Sequence, residues 1–147
     1  MEVMLRRAQQ RDLRKIQEIE KLSFKYPYSL NYIKLLLILS PELFYVAEVD
    51  NEIVGYIVGL IEYENIGHII SIAVHPKWRR RGIGSKLLMK IEEEFKKRNI
   101  KVFVLEVEVN NKPAISLYEK HGYRIIDVIK RYYPGGEDAY LMVKEDD

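Results

Sequence analysis

The segment Arg79-Arg80-Arg81-Gly82-Ile83-Gly84-Ser85 stands between an apolar run and an amphipathic one. Glycines let a backbone approach a ligand and adopt positive φ, and a helix start offers unpaired N–H groups and the positive end of a dipole. Such a turn binds phosphate. Neither Gly-x-Gly-x-x-Gly nor Gly-x-x-x-x-Gly-Lys-Ser/Thr occurs, which sets aside a dinucleotide fingerprint and a P-loop. A surface turn with solvated arginines is the other reading. The second chemical candidate is Glu106. On a strand over Lys101 to Val109, Phe103, Leu105, Val107 and Val109 share one face, whereas Glu106 interrupts the face begun by Val102 and Val104. A carboxylate inside a sheet is costly unless paired or useful, which makes Glu106 a candidate general base. The competing reading is a strand running out into solvent, for which Glu108 on the same face speaks.

These groups need a scaffold, and 147 residues suffice for one domain with a proper core, so residues 1–147 read as a single unit. There is no cysteine, hence no disulfide framework, thiol nucleophile or Cys-ligated zinc. His68, His75 and His121 lie far apart, so no metal is expected. The 24 basic against 22 acidic residues leave +2, which does not make a nucleic-acid binder by bulk charge. No signal-peptide core and no apolar run of ~20 residues is present, which predicts a cytoplasmic protein without a membrane partner.

The elements follow from periodicity. Val3 to Arg7 reads as a strand, and Gln10 to Phe24 as a helix with Leu13, Ile16, Ile19 and Leu22 as its apolar stripe. Leu30 to Leu39 is a second helix, capped by Ser29 and stopped before Pro41. Glu42 to Val49 and Ile53 to Glu62 form a hairpin through Asp50-Asn51-Glu52. Ile66 to Val74 is almost continuously apolar, which predicts a central strand buried on both faces. Gly84 to Arg98 is an amphipathic helix with Leu87, Leu88, Ile91 and Phe95 inward. The strand Lys101 to Val109, the helix Pro113 to His121 and the strands Tyr123 to Arg131 and Asp138 to Lys144 complete a mixed α/β or α+β sandwich with helices on both faces.

The loop resembles, at every defined position, the Arg/Gln-x-x-Gly-x-Gly/Ala loop of the GCN5-related N-acetyltransferase (GNAT) superfamily. Further matching segments are Ser71-Ile72-Ala73-Val74, Leu105 to Asn111, Ala114, Leu117 to Tyr123 and Tyr132 to Ala139, so the resemblance spans nearly the whole chain. It is nearest to the RimI/Ard1-like protein N-terminal acetyltransferases. The resemblance implies the GNAT fold: a mixed, mostly antiparallel seven-stranded sheet with central parallel strands that splay apart, and helices on both faces. It also implies acetyl-CoA as co-substrate, with pantetheine held by the main chain of Ile72, Ala73 and Val74. The pyrophosphate would rest on Arg79, Arg80, Arg81, Gly82, Ile83, Gly84 and Ser85, and Asn111 would border the same cofactor. Direct transfer from thioester to amine, without an acyl-enzyme, is expected.

By the same resemblance Tyr118 matches the tyrosine whose hydroxyl meets the cofactor sulfur, as an acid. His68 matches a position where relatives place a histidine or tyrosine to help a water take the amine proton, work that suits an imidazole of pKa ~6.5. The acceptor would enter between Phe24 to Tyr28 and Arg131 to Glu137, with Tyr26 and Tyr133 as contacts. Protein or peptide N-termini, including ribosomal or nascent chains, are the expected partners, because an α-amine of pKa about 7.7–8.0 needs less help than a lysine of about 10.4. A small-molecule amine, a lysine side chain and a non-catalytic acyl-CoA sensor stay open beside that reading.

Overall fold

The computed structural model describes residues 1–146. In chain order the elements are β1 (Met4–Arg7), α1 (Leu13–Ser23), α2 (Leu30–Leu39), β2 (Phe44–Val49), β3 (Glu52–Glu62) and β4 (Ile66–Val74). There follow α3 (Ile83–Lys97), β5 (Val102–Glu108), α4 (Lys112–Lys120), β6 (Arg124–Ile129) and β7 (Ala139–Glu145). The strands make one sheet of seven in the order β1-β2-β3-β4-β5-β7-β6. Every pairing is antiparallel except β4 with β5. The expected hairpin is present, and Asp50 and Asn51 at φ 51° and 66° make the turn that right-twisted strands favour.

Two cores flank the sheet. Leu13, Ile16 and Ile19 of α1 and Ile33 and Leu36 of α2 pack with Phe44, Val46, Tyr56 and Val58 on one face. Leu87, Leu88, Ile91 and Phe95 of α3 and Ile115 and Tyr118 of α4 pack with Ile57, Ile69, Phe103 and Leu105 on the other. Phe95 lies flat on the strands: a Cβ at Gly67 would stand 2.7 Å from its ring. The helix α1 departs from the expected stripe. Leu22 is exposed and Glu20 is buried instead. A spacing of three falls short of a helical turn by about 60°, so three such steps carry Leu22 roughly to the far side from Leu13, whereas a step of seven brings Glu20 back under it.

Strand β4 departs from expectation too, because its residues alternate between buried and half-buried. Val58 pairs with Ser71 but Gly59 pairs with Ile69, so Ile70 is an extra residue, a β-bulge. The bulge reverses the alternation. Ile69 packs on the α3 side, Ile70 on the α1–α2 side, and beyond it Ala73 packs on the α1–α2 side and Ile72 and Val74 on the α3 side. The contact with β5 ends in the same place. Pairing covers Ile66 with Val102, Gly67 with Phe103 and His68 with Val104, after which β5 pairs with β7 alone. The two central strands therefore part after His68 and leave a wedge between them.

Candidate active site

The wedge opens on a cavity of about 670 Å³, walled by Ile72, Ala73 and Val74, by Arg79, Arg80 and Gly82 to Ser85, and by Asn111 and Tyr118. Gly82 caps α3 at φ 80° and Arg80 precedes it at φ 64°. The glycine serves the backbone angle, because a Cβ there would meet nothing within 4 Å. Among the described residues, no main-chain N–H from Arg80 to Ser85 donates a hydrogen bond to the protein; the first bond of α3 runs from Lys86 N to Gly82 O at 3.1 Å. Free amides at the positive end of a helix dipole, beside Arg79, Arg80 and Lys120, form a cradle that fits a diphosphate.

Three side chains around this cradle are engaged in particular ways. Arg79 Nε donates to Val74 O at 2.9 Å and its Nη2 to Ser23 Oγ at 3.1 Å, which ties the loop to the strand and to α1. Arg81 does not line the cavity; its guanidinium lies 4.9 Å from the centre of the Trp78 ring, leaving only its main chain on the loop. Asn111 caps α4 through Ala114 N at 3.3 Å, so its place at the cavity edge comes with the helix start.

Glu106 stands two residues beyond the last β4–β5 pair, on the same face as His68. His68 Nε2 lies 2.8 Å from Glu106 Oε1, and its Nδ1 lies 3.0 Å from Glu62 Oε2. Burial of His68 works against a charge on its ring, but hydrogen bonds and attraction from Glu106 and Glu62 outweigh it, and the pKa is pushed up to about 9. The imidazole thus does not titrate in its ordinary range. At neutral pH it is a cation donating from both nitrogens, which fixes the Glu106 carboxylate in place. Glu108 is occupied differently: it accepts from Asn110 N at 3.0 Å and from Asn110 Nδ2 at 3.1 Å, in the turn after β5.

Tyr118 comes to the wedge from the opposite side. It is 7% exposed, lies edge-on to Tyr123 at 6.1 Å, and lines the cavity. Burial, helped by nearby Tyr133, pushes its phenol above the usual range, so the hydroxyl keeps its proton. Among the described residues that hydroxyl has no protein partner, which leaves it free to donate into the cavity. A carboxylate on the α1–α2 face and a phenol on the α3–α4 face thus stand on opposite faces of the sheet where its central strands part.

The loops flanking Glu106 are rich in tyrosine. Tyr26, before α2, stacks on Tyr133, after β6, with ring centres 6.2 Å apart and planes 15° apart. Tyr132 meets Tyr133 edge-on at 4.9 Å, and Tyr28 packs against Tyr32 at 4.7 Å. Burial and then neighbouring Tyr132 and Glu106 push Tyr133 up to about 12; Tyr28 and Tyr132 are also raised, burial first and Glu106 among the causes. All three remain neutral donors near Glu106. The loop before α2 is anchored by the buried Glu20, whose carboxylate accepts from Tyr28 N at 3.0 Å, from Ser71 Oγ at 3.0 Å and from Tyr56 Oη.

The cavity gathers Ile72 to Val74, Arg79, Arg80, Gly82 to Ser85, Asn111 and Tyr118; Glu106, His68, Tyr26 and Tyr133 do not line it and form a second cluster, and the Arg81 side chain joins neither. Glu62, Glu20, Tyr28, Tyr132 and Ser23 were not singled out by sequence. A helical wheel would have found Glu20, seven residues after Leu13, but no local pattern marks Glu62 as the second partner of His68.

Comparison with known proteins identifies the family and the fold. Residues 7–123 match the model of the acetyltransferase (GNAT) family. The chain is 42% identical over 144 residues to an uncharacterized N-acetyltransferase of Methanocaldococcus jannaschii, covering 97% of this chain and 92% of that protein. It is 39% identical over 153 residues to an N-alpha-acetyltransferase of Sulfurisphaera tokodaii, at 96% and 92% coverage. In structure it superimposes on Ard1 from Thermoplasma volcanium with a TM-score of 0.96, at 29% identity, over 99% of this chain and 98% of that one.

Proposed function

The chain belongs to the acetyltransferase (GNAT) family, and from that premise we propose that it transfers the acetyl group of acetyl-CoA to the N-terminal α-amine of proteins or peptides. The observation that carries this reading is Glu106, held by His68 at 2.8 Å just past the last β4–β5 pair, with tyrosine-bearing loops beside it. Bound in the wedge, acetyl-CoA supplies an activated thioester. The amides from Arg80 to Ser85 would hold its diphosphate, and the stretch Ile72 to Val74, past the end of the β5 pairing, its pantetheine arm.

Glu106 takes one proton from the acceptor ammonium, directly or through a water, and the freed amine nitrogen bonds to the acyl carbon. As the carbon–sulfur bond breaks, Tyr118 gives its proton to the departing sulfur, and the second proton shed by the nitrogen as the amide forms restores the neutral phenol. His68 enters as a fixed cation that aims Glu106, a role different from the proton acceptor that an ordinary imidazole suggests. A carboxylate base suits an α-amine, whose neutral fraction at pH 7 exceeds that of a lysine by roughly 200- to 400-fold. Tyr26 and Tyr133 wall the entry, and Tyr133 offers its hydroxyl to a peptide backbone. Cytoplasmic N-termini, including nascent and ribosomal chains, are the substrates that fit.

The test is initial-rate kinetics with acetyl-CoA on short peptides that differ in their first two residues, beside N-blocked peptides carrying lysine and simple amines. Turnover of the free N-termini is expected. Turnover confined to the blocked peptides or to the simple amines overturns the α-amine reading in favour of a lysine or small-molecule acceptor.

A further inference from the structure

The two loops beside Glu106 come from distant parts of the chain, and one side chain joins them. Glu137 Oε2 accepts from Lys25 Nζ at 3.0 Å, and both Glu137 oxygens stand 3.1 Å from Tyr26 Oη. Lys25 is 74% exposed, so its ion pair alone contributes little. The phenol and the ring stack give the contact its definition. Tyr26 is pressed between the Tyr133 ring and the main chain, so closely that a Cβ at Gly135 would overlap its hydroxyl.

The far loop is prepared for this contact. Gly136 N donates to Tyr133 O at 2.9 Å and Tyr133 N donates to Glu137 O at 3.1 Å, a small closed turn with Gly136 at φ 93°. That turn presents the Tyr133 ring and the Glu137 carboxylate together toward Tyr26. The hydrogen bond to Lys25 holds the Glu137 carboxyl below its usual range, and the same bond raises Lys25. The near loop is fastened at its other end by Glu20 on Tyr28 N. Between Glu20 and Glu137, the stretch 25–28 is held at both ends by carboxylates.

We propose that Glu137 is a latch that holds the loop before α2 against the loop before β7, and so sets the width of the acceptor slot for an extended peptide N-terminus. It is a positioning residue acting through Tyr26 and Tyr133, and neither the donor cradle nor proton transfer depends on it. The proposal rests on the α-amine reading for its kinetic consequence, but the tie between the loops exists whatever the acceptor. Glutamine at 137 keeps an acceptor for Tyr26 and loses the charge for Lys25, whereas alanine loses both.

The test pairs kinetics with amide hydrogen exchange on Glu137→Ala, Glu137→Gln and the charge-swapped Lys25→Glu/Glu137→Lys. Glu137→Ala raises the peptide KM about 10-fold, the size of one charge-assisted hydrogen bond lost. Its kcat and its KM for acetyl-CoA stay within about twofold. Exchange speeds up over 24–28 and 132–137 but not in α3; Glu137→Gln falls between, and the swapped pair recovers part of the loss. Wild-type exchange rates in both loops of Glu137→Ala overturn the latch, as does a fall in kcat at unchanged peptide KM. A wild-type protein inactive on every peptide sinks the α-amine reading alone, because the exchange experiment still decides the latch.

Discussion

The proposed donor cradle and the proposed acceptor slot sit on either side of one gap in the sheet and are built from different materials. The cradle is mostly main chain: amides from Arg80 to Ser85 with no partner among the described residues, and the edge of β4 beyond the end of its β5 pairing. The slot is mostly side chain: Glu106 held by His68, tyrosines from two loops, and Glu137 joining loops more than a hundred residues apart in the chain. A main-chain site needs a few residues with permissive φ and a helix start, so any ligand with a diphosphate handle suits it. A side-chain site needs every contributing loop to hold its place, and there selectivity between acceptors can be tuned without disturbing the cradle.

If the division is real, damage to one region leaves the other intact. The largest effect is expected at the gap itself. Glu106→Gln or Tyr118→Phe lowers kcat by about 10²- to 10³-fold, the range for one general acid or base, with acetyl-CoA affinity by calorimetry unchanged. Equal losses of turnover and affinity would remove those roles and blur the boundary. Next comes the cradle. Gly82→Val forces a β-branched residue to φ 80°, a strain of roughly 1–3 kcal/mol, and weakens acetyl-CoA binding about 10-fold while exchange in the acceptor loops stays as in the wild type. Undiminished affinity would show that the loop angle does not shape the cradle.

The smallest effect is on stability. Folded His68 titrates at about 9 against ~6.5 when unfolded, so between these values the folded chain binds the extra proton. Its contribution is whole below pH ~6.5 and is lost as pH rises through 9. The Tm of the wild type therefore falls by a few degrees across that window, and the fall flattens in His68→Asn. A His68→Asn curve parallel to the wild type would mean that Glu62 and Glu106 do not hold the ring as a cation.

How far each region was legible follows from how it is built. Arg79, Gly82 and Gly84 lie within six residues of one another, and their spacing before a helix is enough to mark a glycine turn with free amides at a helix start. The order of strands and helices follows from periodicity in the same way. The interior of β4 was not legible: a run of isoleucines hides which residue is the bulge at Ile70, and the bulge decides that Ile72 and Val74 turn toward α3. The Leu13, Ile16, Ile19, Leu22 spacing conceals a rotation that buries Glu20. The ordinary value expected of His68 fails because its two carboxylate partners lie 6 and 38 residues away. Arg81 sits in the right string yet turns to Trp78. Each of these depends on three-dimensional neighbours that no local pattern encodes.

The most direct measurement is amide chemical-shift mapping on labelled protein, with coenzyme A added first and a short peptide with a free N-terminus second. Coenzyme A should move the amides from Arg80 to Ser85 and those of Ile72 to Val74 while leaving Lys25 to Tyr28 in place, and the peptide should then move the stretches around Tyr26 and Tyr133. Amides from Arg80 to Ser85 that stay still under saturating coenzyme A contradict the account.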